Sequence, residues 1–367
     1  MELECGQPEL LKAISHTERI AGTNPTLPVL TCLLLETKKN ELFIRSTNLD
    51  IGVESKIPAL IKKEGVVAVP ASIFYNTIQN ISPHTKITVT SSNENITVKT
   101  PTSISTIKSF SVEDFPTIPP APQEYSTIFQ KKHFIEGITS VVYSASNTTI
   151  KPELSGVYIY PDGKNTIFVA TDSFRLAEKS VVNTGDSNFP QSIIPYKNTL
   201  EVIRILEASD DDEVEIKINE NQISFSIGRV YITSRLINGS FPDYKQIIPP
   251  SKKTEVIVLK DDFARVLKKL SIFTDSFNQI TFIIDPKKKE VRLNAQSNNV
   301  GETKDGIDAS ISGDELDIRF NLKYLVDVLP HIHSDSIALV FNGPGKPLVI
   351  RGVSDDSFLY LVMPMNK

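Results

Sequence analysis

The chain has 367 residues, with 39 Lys and Arg against 44 Asp and Glu, a formal charge of −5 and 40% hydrophobic residues. That length supports about two to four domains, and the composition excludes a disordered chain, a collagen and a disulfide scaffold. The mildly acidic balance argues against coating nucleic acid by bulk charge but leaves room for a local basic surface.

The N-terminal MELECGQPEL has neither a basic start nor an apolar run, so no leader is expected. No apolar run nears the roughly 18 residues of a membrane span, and the cytoplasm is the expected compartment. Cys5 and Cys32 sit among apolar neighbours outside any Cys-x-x-Cys spacing, so both are expected as reduced core residues.

In chain order, apolar periodicity predicts a first helix over 7–20. A hairpin over 33–37 and 42–46 follows, turning at Lys38-Lys39-Asn40, then a helix over 72–81. Alternating strands over 86–90 and 96–100 flank Asn93-Glu94-Asn95, and 103–109 reads as an edge strand. The next helices are predicted over 130–143 and 196–206, with a strand over 166–170 between them. A second Asn-rich hairpin joins 214–218 to 223–226, and helices over 259–270 and 322–333 complete the series.

These elements repeat. Asn93-Glu94-Asn95 recurs as Asn219-Glu220-Asn221, and Phe115-Pro116 as Phe241-Pro242, each 126 residues on. Val69-Pro70-Ala71-Ser72, Ile194-Pro195-Tyr196-Lys197 and Phe320-Asn321-Leu322-Lys323 open helix-like stretches at nearly the same offset. Three tandem copies over 1–122, 123–250 and 251–367 account for this, divided at Pro119-Pro120-Ala121-Pro122 and Pro249-Pro250-Ser251-Lys252. The expected fold class is α+β, each copy holding two helices against antiparallel sheets, with the helix first in each copy.

Little in the chain suggests chemistry. His331 and His333 alternate, but no Cys or carboxylate cluster completes a metal set, and a solvated helix end is the simpler reading. Asp172 has no second carboxylate at a useful spacing and reads as a turn residue bonding its own backbone. Asp210-Asp211-Asp212-Glu213 lacks the spaced ligands and Gly of a calcium loop, and Lys287-Lys288-Lys289 reads as a hairpin tip. Neither Gly163-Lys164 nor Gly345-Lys346 belongs to a phosphate loop. No catalysis and no cofactor is expected. The helical segments together carry a small positive excess while the rest is acidic, a pattern suited to reversible, sequence-independent phosphate contact.

Several segments carry a resemblance. Thr171-Asp172-Ser173-Phe174-Arg175-Leu176-Ala177 resembles the T-D-G-H-R-L-A motif of the beta subunit of bacterial DNA polymerase III, the sliding-clamp family. Gly239-Ser240-Phe241-Pro242-Asp243-Tyr244 with Ile248-Pro249 is similar to its G-x-F-P-D-Y…L-P segment, and Asn24-Pro25-Thr26-Leu27-Pro28-Val29-Leu30 to its R-P-T-L-P-I-L segment. The stretch from Phe320 to Leu329 and the tail Val362-Met363-Pro364-Met365 also match, so the resemblance spans the chain in order.

The resemblance implies a head-to-tail homodimeric ring of clamp domains, helices lining the hole and sheets outside, that encircles double-stranded DNA without sequence preference. It implies tethering of the DNA polymerase III catalytic subunit and other motif-bearing proteins, and placement by an ATP-driven clamp loader. The clamp itself hydrolyses nothing, and no membrane is involved. By motif, the family's partner-peptide groove carries over to Leu154, Thr171, Ser173, Phe174, Arg175, Leu176, Pro242, Ile247, Phe277, Asn321, Tyr324, Pro347, Val362, Met363, Pro364 and Met365. Their apolar side chains suit the Leu or Phe anchors of a peptide, and Arg175 is expected to cover the slot and fix a peptide carboxylate or carbonyl.

Lys197 and Arg204 match basic, DNA-facing positions of the family. Lys12, Lys131, Lys132, Lys268, Lys269 and Lys323 join them by charge alone. Asn24 stands where the family usually has a DNA-contacting Arg and is placed with this set; Ile73 stands at another such position. Phe174 replaces the usual His, Ser173 the usual Gly, and Gln246 a common Arg. Ring closure is expected through Ile104 and Ile107 on the edge strand and through Ile272 and Phe273 past the fifth helix. Two other readings remain: a scaffold of this fold without ring closure, which would sediment as a monomer, and an enzyme, which would need paired titratable groups in a pocket.

Overall fold

The structure, a computed structural model, describes residues 1–22, 27–92, 94–148, 150–183 and 189–365. Its helices are α1 (Gln7–Thr17), α2 (Ala71–Gln79), α3 (Lys131–Val142), α4 (Tyr196–Ala208), α5 (Lys260–Leu270) and α6 (Leu322–Val328). None among the described residues is long and apolar enough to cross a membrane.

Helix ends follow local chemistry. Thr17 closes α1 by turning its hydroxyl back to the carbonyls of Ala13 and Ile14, at 3.3 and 3.1 Å. The span predicted to residue 20 instead ends in a 3-10 turn, Glu18–Ile20. In α5, Asp261 and Asp262 occupy the first turn and Lys268 and Lys269 the last, which complements the helix dipole. Its Phe263, Leu267 and Leu270 are buried on one face. Asn321 caps α6 by accepting the Lys323 N–H at 2.9 Å. That helix stops at Val328 rather than running to 333, because Pro330 lacks the N–H that another turn needs; a 3-10 turn, Leu329–His331, follows.

Each copy opens with a short strand, not a helix: Glu2–Gly6, Tyr125–Gln130 and Thr254–Leu259 lead directly into α1, α3 and α5. In Glu2–Gly6 only Leu3 and Cys5 are buried, a pattern of two residues, too brief to register as alternation.

The chain packs as two compact units, one of residues 1–135 with 183–236 and one of 136–182 with 237–367. In the first unit one sheet takes its strands in the order Leu60–Lys63, Glu2–Gly6, Lys86–Ser92, Asn95–Lys99, Ile104–Lys108. The other runs Tyr125–Gln130, Glu213–Ile218, Gln222–Ile227, Val230–Arg235, Ile51–Pro58, Glu41–Thr47, Cys32–Lys38, Gly65–Pro70. Leu3, Leu10, Ile14, Leu35, Phe74 and Ile96 belong to one core here, and both cysteines are buried and unbridged.

In the second unit one sheet runs Gly156–Asp162, Asn165–Thr171, Arg175–Val182, Asp355–Val362, Leu348–Gly352, Ser336–Phe341, Thr254–Leu259, Ala309–Gly313. The other runs Gly301–Ile307, Glu290–Ser297, Gln279–Asp285, Leu316–Asn321. Phe263, Phe282, Phe320 and Phe341 meet at 5.7–6.3 Å between ring centres in its core.

Packing therefore does not follow the sequence repeat one unit per copy, because sheets cross the copy boundaries. The last strand of the second copy, Val230–Arg235, pairs antiparallel with Ile51–Pro58 of the first. The last strand of the third, Asp355–Val362, pairs the same way with Arg175–Val182 of the second. The corresponding strands left over, Ile104–Lys108 and Gly301–Ile307, each lie at the edge of their own sheet.

Candidate functional site

Strand Asn165–Thr171 turns into Arg175–Val182 through Asp172-Ser173-Phe174. Thr171 donates its hydroxyl to the Arg175 carbonyl at 2.6 Å and accepts the Ser173 N–H at 3.2 Å. One oxygen of Asp172 accepts the N–H groups of Phe174 and Arg175, both at 2.9 Å. Asp172 is thus a turn residue, as its position suggests. Ser173 takes φ +78°, a region that favours Gly, and the turn leaves the Phe174 side chain 61% exposed.

The tail closes over this turn. Val362 pairs with Arg175 and with Leu348, so three strand ends lie side by side. The Met363 N–H then donates to the Phe174 carbonyl, and the Met365 N–H to the Arg319 carbonyl, each at 2.8 Å. These bonds hold the chain end in place where a free terminus would fray. Near Arg319, the Asn321 amide donates to the Phe277 carbonyl at 3.3 Å. The segment Phe241–Ile248 lies against the same sheet: Leu176, Tyr244 and Ile248 share one apolar cluster. The Tyr244 hydroxyl donates to Glu178, and burial, then that bond, raises the phenol above its ordinary pKa.

Arg175 departs from expectation. Its Nε donates to Asp172 at 3.0 Å, Nη1 to Asp327 at 2.6 Å and Nη2 to the Tyr143 carbonyl at 2.7 Å. The guanidinium stands 4.6 Å from the Tyr324 ring centre, and the side chain is only 11% exposed. It fastens the turn to α6 and to Tyr143, the residue after α3. Tyr143 stacks in turn on His331 at 4.5 Å, so His331 is a packed residue and not the solvated helix end expected.

The expected groove wall divides in two. Phe174, Pro242, Ile247, Phe277 and Met363 are exposed. Leu154, Leu176, Pro347 and Val362 are buried. Leu176 and Val362 alternate inward from Arg175 and Met363, as strand geometry requires. Ser173 is exposed as well, while Thr171, Asn321, Tyr324, Pro364 and Met365 are at most partly exposed.

The expected phosphate-facing cations also divide. Lys132, Lys197, Lys268 and Lys323 are exposed, and none forms an ion pair among the described residues. Lys12 pairs with Asp210 at 2.5 Å, Lys269 with Asp305 at 2.9 Å, and Lys131 donates to the Ser209 carbonyl at 2.7 Å. Arg204 is an internal clamp: it bonds Glu201 at 2.7 Å and the Ser15 and His16 carbonyls at 2.7 and 3.1 Å. Moreover, α4 extends to Ala208 and takes in Glu207, so it is neutral and not positive as its shorter predicted span implied. Asn24 lies outside the described residues.

Of the expected subunit contacts, Ile104 is 67% and Ile272 62% exposed, and Phe273 is partly buried. Ile107 is the exception. At 7% exposure it packs into the core, so it is not an interface residue.

Two features escaped the sequence reading. Tyr143, Asp327 and Tyr360 surround Arg175, but Asp327 lies 152 residues away and no local pattern links them. His16 is buried with both ring nitrogens unpartnered; burial, then the charges of Arg204 and Lys12, lowers its pKa to about 4. Among the described residues no cluster of His, Cys, Asp and Glu could hold a metal ion.

Models of the N-terminal, central and C-terminal domains of the DNA polymerase III beta subunit match residues 1–119, 128–243 and 245–366. The chain is 25% identical to a beta sliding clamp of Synechococcus elongatus over 375 residues, covering 100% of this chain and 99% of that one. It is likewise 25% identical to the beta sliding clamp of Escherichia coli over 371 residues, covering all of both. A crystal structure of a DNA polymerase sliding clamp from Pseudomonas aeruginosa superimposes with a TM-score of 0.94 at 23% identity, covering all of both chains. With family models matched along nearly its whole length, the chain belongs to the DNA polymerase III beta subunit family.

Proposed function

We propose that two copies of this chain, a DNA sliding clamp by family, join head to tail into a ring that encircles duplex DNA. The observation that carries this reading is the pair of leftover strand edges. Within the chain, each copy's last strand completes the sheet of the copy before it. Among the described residues, Ile104–Lys108 of the first copy and Gly301–Ile307 of the third are the corresponding strands that lack that partner, and both are edges. A second subunit supplies each with the missing neighbour, and two such junctions close a ring. In this reading the exposed Ile104 and Ile272, with Phe273, supply the apolar contacts of the junctions.

The exposed Lys132, Lys197, Lys268 and Lys323 meet phosphates without reading bases. Phe174, Pro242, Ile247, Phe277 and Met363 anchor short peptides of the DNA polymerase III catalytic subunit, the clamp loader and other partners. The chain catalyses nothing; it acts in the cytoplasm as a tether, and a loader opens and places it. Retention on nicked circular DNA tests this. A ring stays on the circle and leaves when the DNA is linearised; retention on linear DNA, or a monomer at micromolar concentration, would refute the topological link.

A further inference from the structure

The repeat also aligns the outward faces of the two boundary-crossing sheets. In the first unit, Leu34, Arg45, Glu54 and Tyr231 lie in one row across four strands. In the second unit the same row is Tyr158, Val169, Glu178 and Leu359. The segment lying over each row begins alike, Phe115-Pro116-Thr117-Ile118 and Phe241-Pro242-Asp243-Tyr244. In the second unit these parts interlock. Phe241 stacks on Tyr158 at 4.6 Å, the Tyr160 and Tyr244 hydroxyls meet at 2.7 Å, and Tyr244 donates to Glu178. In the first unit Leu34 and Ile118 stand in place of Tyr158 and Tyr244, and a cleft of about 670 Å³ remains between the segment and the sheet.

We propose that this cleft docks a tyrosine side chain presented by a partner protein. The molecule itself shows what fits: in the second unit the equivalent space holds phenol rings. Glu54 stands where Glu178 receives a phenol proton. It already accepts Arg45 Nε at 2.5 Å on one oxygen and Lys56 at 3.3 Å on the other. A carboxylate offers about four acceptor positions, so a hydroxyl can still bind. Arg45, standing in place of Val169, adds a guanidinium face to an incoming ring, as it does to Phe43 at 5.3 Å. The cleft is far larger than one phenol, so flanking main chain enters with it. The site is independent of the groove beside Phe174.

The test uses the full chain with N-acetyl-tyrosinamide as probe, N-acetyl-phenylalaninamide and p-cresol as comparisons, and the Ile118 methyl resonance as reporter. Capped tyrosine is expected to bind in the millimolar range usual for so small a ligand and to shift Ile118, with capped phenylalanine about tenfold weaker. Leu34→Tyr/Ile118→Tyr, which rebuilds the filling of the second unit, should abolish binding measured by saturation transfer; Ile118→Tyr alone should weaken it and serves if the double variant fails to fold. No Ile118 shift, equal binding of the phenylalanine compound, or unchanged binding by a folded filled variant overturns the proposal. Binding of p-cresol without binding of capped tyrosine overturns the protein partner.

Discussion

Arg175→Ala separates a structural clamp from a peptide contact. The arginine makes three internal hydrogen bonds, at 3.0, 2.6 and 2.7 Å, two of them to carboxylates, with its side chain 11% exposed. Breaking a buried ion pair from one side typically costs about 3–5 kcal/mol, because the remaining charge is left uncompensated. Asp172 keeps two N–H donors, and Asp327 is 28% exposed and regains water, so the loss belongs at the lower end, about 3 kcal/mol. Urea unfolding of the wild type, Arg175→Ala, Asp327→Asn and the double variant reads this directly. The cycle should return a coupling of about 1–2 kcal/mol between the two residues. The refuting result is a stability change under about 0.5 kcal/mol, typical of surface sites, together with a large loss of peptide affinity. Arg175 would then act on the peptide and not on the fold.

Ending the chain after Val362 removes Met363 and its bond to Phe174; a groove-binding peptide should weaken by roughly thirtyfold, about 2 kcal/mol, with dimer mass unchanged. Ile272→Arg with Phe273→Arg should yield folded monomers by sedimentation, whereas Ile107→Arg should unfold the first unit because that side chain lies in the core. Replacing Lys132, Lys197, Lys268 and Lys323 by Glu should lower retention on circular DNA and flatten its salt dependence by about one unit per lost phosphate contact. Changing Arg204 instead should show first in thermal stability, since it clamps α4 to the end of α1. His16 has a folded pKa near 4 against about 6.5 when unfolded, so the stability it contributes is complete above pH 6.5 and is lost as pH falls toward 4. The full loss is roughly 3 kcal/mol, and His16→Leu should remove that slope from melting curves recorded across this range.

Periodicity and the shared offset placed the starts of the six helices among the described residues within one residue and exposed the repeat, since both are properties of the chain as written. The Asp172 turn was legible for the same reason: its bonds join residues two and three apart. The strands opening each copy were not: Glu2–Gly6 and Tyr125–Gln130 bury only two side chains each, and in Thr254–Leu259 the outward Ile257 and Leu259 are apolar like the buried Val256 and Val258, so alternation does not show. The site residues separate along the same line. Only the family resemblance grouped Phe174, Met363 and Ile247, which lie far apart in the chain. Which side chains stay outside depended on strand register, which turns Leu176, Val362 and Ile107 inward. Charge tells which residues are cations, but only folding brings Asp327 to Arg175, Asp210 to Lys12 and the α1 carbonyls to Arg204. An ion pair between residues more than a hundred positions apart leaves no local trace, because nothing in either segment's own propensity depends on the other.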